Sequence, residues 1–360
     1  MPPDPGGAAR WRRWLRVFAG TLAGLCLVVY GFVLIVDPYD TLPFSPGFER
    51  EPISTNARFS FPGLAAKPRF DSAVFGTSTS RLLRPVDLDP LFDAHFVNLA
   101  MNSATAYEQR RIFELFAHHH PQPKVVVVGL DIVWCEVGTD FPARFTFRPF
   151  PPWLYDDNPW NDALHLFNRT AVEQAGRQAA RALGLRPPKY GLDGYTNFLP
   201  SREEYDLEKA RRGLYHGGEP RRHAPVEPAP EGLADYAAGL HFPTHVWLQG
   251  MLDSLPGETL KILYFVPYHH FHQAPPGGRQ DARWSECKRR IAAMAGQRAN
   301  THVLDFMVPS AITLEDTNYW DPLHYGTDVA IQIARWLHDA VRDQGGADGP
   351  YIDLTKVREN

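Results

Sequence analysis

Apolar residues along the chain follow three patterns. From Val17 to Val36 run twenty consecutive residues without a charge, VFAGTLAGLCLVVYGFVLIV; at about 1.5 Å per residue they reach roughly 30 Å, the thickness of a bilayer's hydrocarbon. No polar stripe interrupts this run, which argues against a buried core helix. Five shorter runs, Phe70–Phe75, His95–Ala100, Val125–Val128, Leu260–Val266 and His302–Phe306, are largely apolar on both parities, as strands covered on both faces are. The third pattern has helical period and occupies Ala106–His119, Asp162–Leu183, Asp281–Gln297 and Asp328–Arg342. In the last of these, Val329, Ile331, Ile333, Ala334, Leu337 and Val341 form one stripe, with Thr327 placed to cap it. Strand alternating with helix predicts an α/β protein: a three-layer α/β/α sandwich around a mainly parallel five-stranded sheet, plus one N-terminal transmembrane helix.

Flanking residues orient that helix. Arg10, Arg12, Arg13 and Arg16 precede it, whereas Asp37, Asp40, Glu49 and Glu51 follow it. The basic tail 1–16 is therefore expected in the cytoplasm and everything after the 17–36 span outside. A cleaved signal peptide has a shorter apolar core and a small-x-small site, which Ile35-Val36-Asp37-Pro38-Tyr39 lacks. Residues 37–67, rich in Pro, Gly and Ser, are expected to be a linker, 68–345 the folded domain, and 346–360 a C-terminal tail. Periodicity weakens between about 185 and 257, where the Pro-rich His216–Glu231 loop lies, so an insertion or lid is expected there.

Charge and cysteine usage narrow the function classes. Lys and Arg number 37 against 41 Asp and Glu among 360 residues, a formal net charge of −4, which leaves no broad basic field for nucleic acid. Cys26 lies in the apolar run, leaving Cys135 and Cys287 free to pair in an oxidising compartment. With no C-x-x-C pair, no structural metal is expected. No glycine-rich phosphate loop occurs either, and no cofactor is called for. Asn168-Arg169-Thr170 fits a glycosylation acceptor, a triplet that matters only in a eukaryotic secretory setting.

In parallel α/β sheets ligands bind at the carboxyl ends of the strands. The first strand is followed by Gly76-Thr77-Ser78-Thr79-Ser80-Arg81; the glycine permits a tight turn, and Ser78 can sit at the following helix N-terminus as a nucleophile. The last strand leads to Asp321-Pro322-Leu323-His324, a spacing that lets an imidazole act as general base with the carboxylate orienting it. Each signal has a bland counterpart, a helix cap in one case and a turn in the other.

Together, Gly76-Thr77-Ser78 and Asp321-x-x-His324 in a chain of this layout resemble the SGNH (GDSL-like) hydrolase superfamily over roughly residues 68–343. The resemblance implies Ser78 as nucleophile and oxyanion donor, His324 as base and Asp321 as its acidic partner. Two middle blocks depart from the family. In Asn98-Leu99-Ala100-Met101-Asn102-Ser103-Ala104 the oxyanion glycine falls on Ser103, and in Gly129-Leu130-Asp131-Ile132 the oxyanion asparagine falls on Asp131. An ionised Asp131 would repel an oxyanion, and losing one donor costs about 3 kcal/mol of transition-state stabilisation. Asn102 is an alternative donor. The resemblance implies covalent acyl transfer, with cell-envelope polysaccharide or another ester as substrate, a multi-spanning membrane acyltransferase as possible partner, and D-alanyl transfer onto teichoic acids as a related activity. The competing expectation is a non-catalytic accessory protein that binds polysaccharide or that membrane partner; a secreted lipase or esterase is a third.

Other residues carry two readings each. Arg81 either meets an acidic substrate group or pairs with a neighbouring carboxylate. Tyr268, His269, His270 and His272 form a polar loop beside a pocket, a sugar cleft or a metal site. His118, His119 and His120 suit a helix C-terminus. Trp134 and Trp320 either stack on sugar rings or pack under loops.

Overall fold

A computed structural model describes residues 5–53, 56–138, 142–156, 158–342 and 349–356. Its helices in chain order are α1 (Pro5–Val36), α2 (Phe61–Ala65), α3 (Pro85–Phe92), α4 (Ala106–His119), α5 (Pro159–His165), α6 (Arg169–Ala182), α7 (Leu207–Leu214), α8 (Leu233–Ala238), α9 (His245–Asp253), α10 (Arg279–Ala295) and α11 (Thr327–Val341). The strands are β1 (Ser72–Phe75), β2 (Phe96–Asn98), β3 (Val125–Leu130), β4 (Leu260–Phe265), β5 (Thr301–Asp305) and β6 (Ile352–Asp353). The chain divides into two compact units, Met1–Glu51 with Pro151–Lys189, and Pro52–Phe150 with Tyr190–Asn360.

The second unit holds one sheet of order β2-β1-β3-β4-β5-β6. The first five strands are parallel, and each coincides with a predicted run. The sheet has six strands, because Leu304 and Asp305 pair antiparallel with Asp353 and Ile352. Two residues carry too little pattern to be seen beforehand, and they lie where a tail was expected; 346–348 and 357–360 fall outside the described residues, as do 343–345 at the end of the predicted domain. Successive strands lie on opposite sides of β1, so the sheet's switch point falls between β1 and β3. Residues 52–67 belong to this unit, with Phe61, Leu64 and Ala65 buried.

Two local expectations change. Thr327 is the first helical residue of α11, and Gly326 takes the cap position. The helix predicted over Asp162–Leu183 is two helices, broken at Leu166–Asn168, where the Asn168 side chain accepts from the Ala171 N–H. Both belong to the first unit, with residues 151–189, although the sequence placed this stretch in the main domain.

In the first unit, α1 contains Ala8–Val36, long and apolar enough by length and composition to cross a membrane. Asp37 ends it, with a backbone φ of 45°. Its carboxylate accepts from the Leu42 N–H at 2.9 Å and the Ser45 hydroxyl at 2.7 Å, which folds the chain back over the helix end.

Candidate active site

The turn after β1 is shaped by glycine. Gly76 has φ +147°, and a Cβ there or at Gly129 on β3 would collide with the Ser80 side chain. Ser80 therefore fills the gap between the two strand ends, accepting at Oγ from the Tyr264 hydroxyl at 3.0 Å. This wedge lifts Thr77-Ser78-Thr79 above the switch point.

Half-buried Ser78 meets the loop before α11 there. His324 Nε2 lies 2.8 Å from Ser78 Oγ, and His324 Nδ1 lies 2.7 Å from Asp321 Oδ2. Asp321 Oδ1 accepts from the backbone N–H groups of Leu323 (2.8 Å) and His324 (3.0 Å), so the D-x-x-H spacing closes on itself. Burial raises the Asp321 carboxyl, but the bond from His324 and those backbone donors more than offset it and hold it below the ordinary value. Asp321 is thus kept as an acceptor that favours the tautomer with the proton on Nδ1 and Nε2 free to accept from the serine. Tyr325 donates from its hydroxyl to Thr79 O at 3.0 Å, tying the histidine loop to the serine turn. The Phe198 ring stands edge-on to His324 at 5.2 Å. Asp321→Asn offers an amide that cannot hold that tautomer in the same way; with a half-exposed side chain, turnover is expected to fall about 100- to 1,000-fold while the fold stays intact. Steady-state kinetics with circular dichroism on the same sample check this.

The 98–104 segment flanks the serine turn, with the Met101 N–H on Gly76 O at 3.0 Å. Ser103 takes the left-handed backbone conformation, φ 55°, a region that favours glycine. Arg58 is fully buried, bonds both carboxylate oxygens of Glu108 (2.9 and 2.6 Å) and also donates to Asn102 O at 3.2 Å, so this turn is pinned from behind. Among the described residues, no backbone hydrogen bond of the chain uses the N–H of Ser78 or of Ser103. Asn102 accepts at Oδ1 from Arg81 at 3.1 Å. Arg81 itself is buried, and burial pushes its guanidinium down to about 10. It also donates to the Thr196 hydroxyl at 3.1 Å, and among the described residues its Nε has no hydrogen-bond partner. Arg81 thus orients the Asn102 amide instead of pairing with a neighbouring carboxylate.

Asp131 is brought to the site, in an acceptor's position. It is 3 % exposed. Oδ2 accepts from the Thr77 hydroxyl and Oδ1 from the Tyr268 phenol, both at 2.7 Å, with Thr79 Oγ1 at 3.4 Å. Burial raises its carboxyl above the ordinary value, against the bonds from Tyr268 and Thr77 and the proximity of His324. Because Thr77 and Thr79 flank Ser78, Asp131 grips the serine turn from both sides. The sequence could name the residue but not its partners, which come from two other segments. Asp131→Asn leaves one hydroxyl without an acceptor, at about 1–3 kcal/mol. The expected result is a roughly tenfold lower kcat with KM little changed, read from steady-state kinetics; a higher kcat would mean that position 131 faces the oxyanion and that the amide restores a donor.

The histidine loop after β4 supports the site from the side. The His269 N–H donates to Pro322 O at 3.0 Å, inside the Asp321–His324 loop. His269, His270 and Asp316 bring their potential ligand atoms within 4.8 Å of one another. Asp316 is already engaged: Tyr215 OH (2.7 Å) and His269 Nε2 (3.1 Å) reach Oδ1, and Arg211 Nε reaches Oδ2 at 2.8 Å. The cluster therefore closes as an ion-paired network holding α7 to the loop, a network no sequence pattern announced. His118 and His119 end α4, and His120 Nε2 lies 2.8 Å from Ala65 O. Trp134 is fully buried with Nε1 on Gln109 Oε1, so it packs beneath a loop and offers no face to a sugar; Trp320 is half-buried, edge-on to Tyr205.

Burial pushes His245 and His270 down to about 4. Unfolded imidazoles bind protons from about 6.5 downward, so the folded state forgoes protonation that the unfolded state gains. Stability is complete above that value and falls as pH drops toward 4. Urea midpoints measured across pH 7.5 to 4 are expected to decline over that window, and less steeply in His245→Phe.

No protein-family model matches the chain, and no curated protein matches it.

Proposed function

We propose that this chain is a membrane-anchored extracytoplasmic serine acyl-transfer enzyme, an O-acetyltransferase or acetylesterase acting on cell-envelope polysaccharide. The observation that carries the reading is the continuous relay from Ser78 Oγ through His324 to Asp321, at 2.8 and 2.7 Å, located at the switch point of a parallel sheet. The resemblance of the Gly76-Thr77-Ser78 and Asp321-x-x-His324 blocks to the SGNH hydrolases supports the same reading. It implies a three-layer sandwich, which agrees with α3 touching α11 while α2, α4, α9 and α10 touch one another in sequence.

In this mechanism His324 Nε2 takes the Ser78 proton as Oγ attacks the ester carbonyl. The backbone N–H groups of Ser78 and Ser103 receive the oxyanion, with the Asn102 amide as a further donor. His324 then protonates the leaving alcohol, and water or a sugar hydroxyl resolves the acyl-enzyme. Asp131 acts as a positioning residue.

The Cys135–Cys287 disulfide supports an oxidising compartment for the second unit, and Arg10, Arg12, Arg13 and Arg16, in the first turns of α1 ahead of its apolar run, support a cytoplasmic N-terminus. A multi-spanning acyltransferase is the proposed acyl donor partner. The second reading, an accessory protein that binds polysaccharide without turnover, is favoured by one observation: the carboxylate at 131 where an amide would donate. Incubating the full-length protein in detergent with 4-nitrophenyl acetate and a polysaccharide acceptor separates them. Serine-dependent acetate release or transfer supports the enzyme; folded protein without either supports the binder.

A further inference from the structure

The first unit exposes a cluster of large apolar side chains beside its membrane helix. Trp160 is 67 %, Leu164 78 %, Phe167 55 % and Phe44 53 % exposed. We propose that the turn joining α5 to α6 is a second membrane contact, seating Leu164 and Phe167 in the outer interfacial layer of a lipid bilayer beside Tyr30. This rests on α1 being a membrane span.

Depth along α1 carries the inference. One face of the helix is covered: Cys26, Val29, Tyr30, Val33 and Val36 recur at helical spacing and are buried or half-buried. The Tyr30 hydroxyl donates to Ala163 O at 2.7 Å, and its ring meets Phe167 edge-on at 5.6 Å. The α5–α6 turn is thus level with Tyr30, six residues or about 9 Å below the end of α1. The far end of α6 lies level with that end, since Gln178 exchanges two hydrogen bonds with the Glu51 backbone (3.0 and 2.9 Å) while Arg50 bonds Val36 O and Asp37 O. So α6 leans along α1 with its N-terminus directed toward the membrane.

Lipid is the occupant that this geometry requires. On the open face of α1, Val28, Phe32 and Ile35 remain exposed and apolar almost to the last residue. Where α1 spans, acyl chains therefore reach the level of Ile35, above that of the turn. Interfacial elements bury their apolar side by about 5–10 Å, which matches the offset from the helix end. The charge pattern agrees: exposed Arg169, Glu173 and Arg177 begin only after Phe167, so the surface changes from apolar to charged as α6 rises away from the turn.

The test uses full-length protein carrying Cys26→Ala, with one added cysteine each at Leu164, Val28 and Leu185, spin-labelled and reconstituted singly in phosphatidylcholine–phosphatidylglycerol nanodiscs. Leu185 is exposed beyond the far end of α6. Collision with oxygen reports lipid, and collision with a water-soluble nickel chelate reports water. Labels at 164 and 28 are expected to favour oxygen severalfold over the label at 185. A label at 164 that behaves like 185 while 28 stays in lipid overturns the proposal and leaves the anchor standing. Shielding of 164 from both reagents also overturns it, by assigning the patch to a protein partner. Nickel access at 28 overturns the membrane span itself.

Discussion

Ser78→Ala and His324→Ala are each expected to lower ester turnover on the order of 10,000-fold, and the double variant to lose little more. The non-additivity follows from the geometry. Ser78 Oγ and His324 Nε2 share one hydrogen bond of 2.8 Å, so either deletion disables the same proton transfer. What remains comes from binding and from the backbone donors at Ser78 and Ser103. Initial rates with 4-nitrophenyl acetate on all three variants, each shown to melt like the parent, measure it. Losses that add, or a His324→Ala variant that keeps its rate, would mean the relay is not used.

Removing the disulfide is expected to have the largest effect on stability. Cys135 and Cys287 are 152 residues apart, and cross-linking a loop of that length lowers unfolded-state entropy by the equivalent of about 5 kcal/mol. Cys135 ends the short helical turn that Asp131 caps, and Cys287 lies on α10. Cys135→Ala/Cys287→Ala is therefore expected to lower the urea midpoint sharply and to reduce activity at temperatures where the parent is folded. Denaturation followed by fluorescence checks the first part, and equal midpoints with and without reductant in the parent would contradict it.

Much of this site was legible before the structure because its chemistry sits beside strong pattern. The runs ending at Phe75 and Phe306 mark strand ends, and Gly76 and the Asp321-to-His324 spacing follow from what turns there need. Less legible was anything held by contacts between distant segments. Asp131 was visible as a departure from an amide, but its partners Thr77 and Tyr268 lie 54 and 137 residues away. Arg58, Phe198 and the Arg211–Asp316 pair lie outside the periodic runs, and the helical period around Glu108 says nothing of its pairing with Arg58. The break between α5 and α6 escaped because the helical pattern continues across Leu166–Asn168; a single side-chain cap at Asn168, not a change of period, divides them.

The most direct test of the central claim is to treat the full-length protein with a serine-directed fluorophosphonate and map the adduct by peptide mass. A primed Ser78 predicts one adduct on the peptide containing Ser78, absent in Ser78→Ala and greatly slowed in His324→Ala. Folded protein that takes no adduct, or takes it on another residue, would contradict the account.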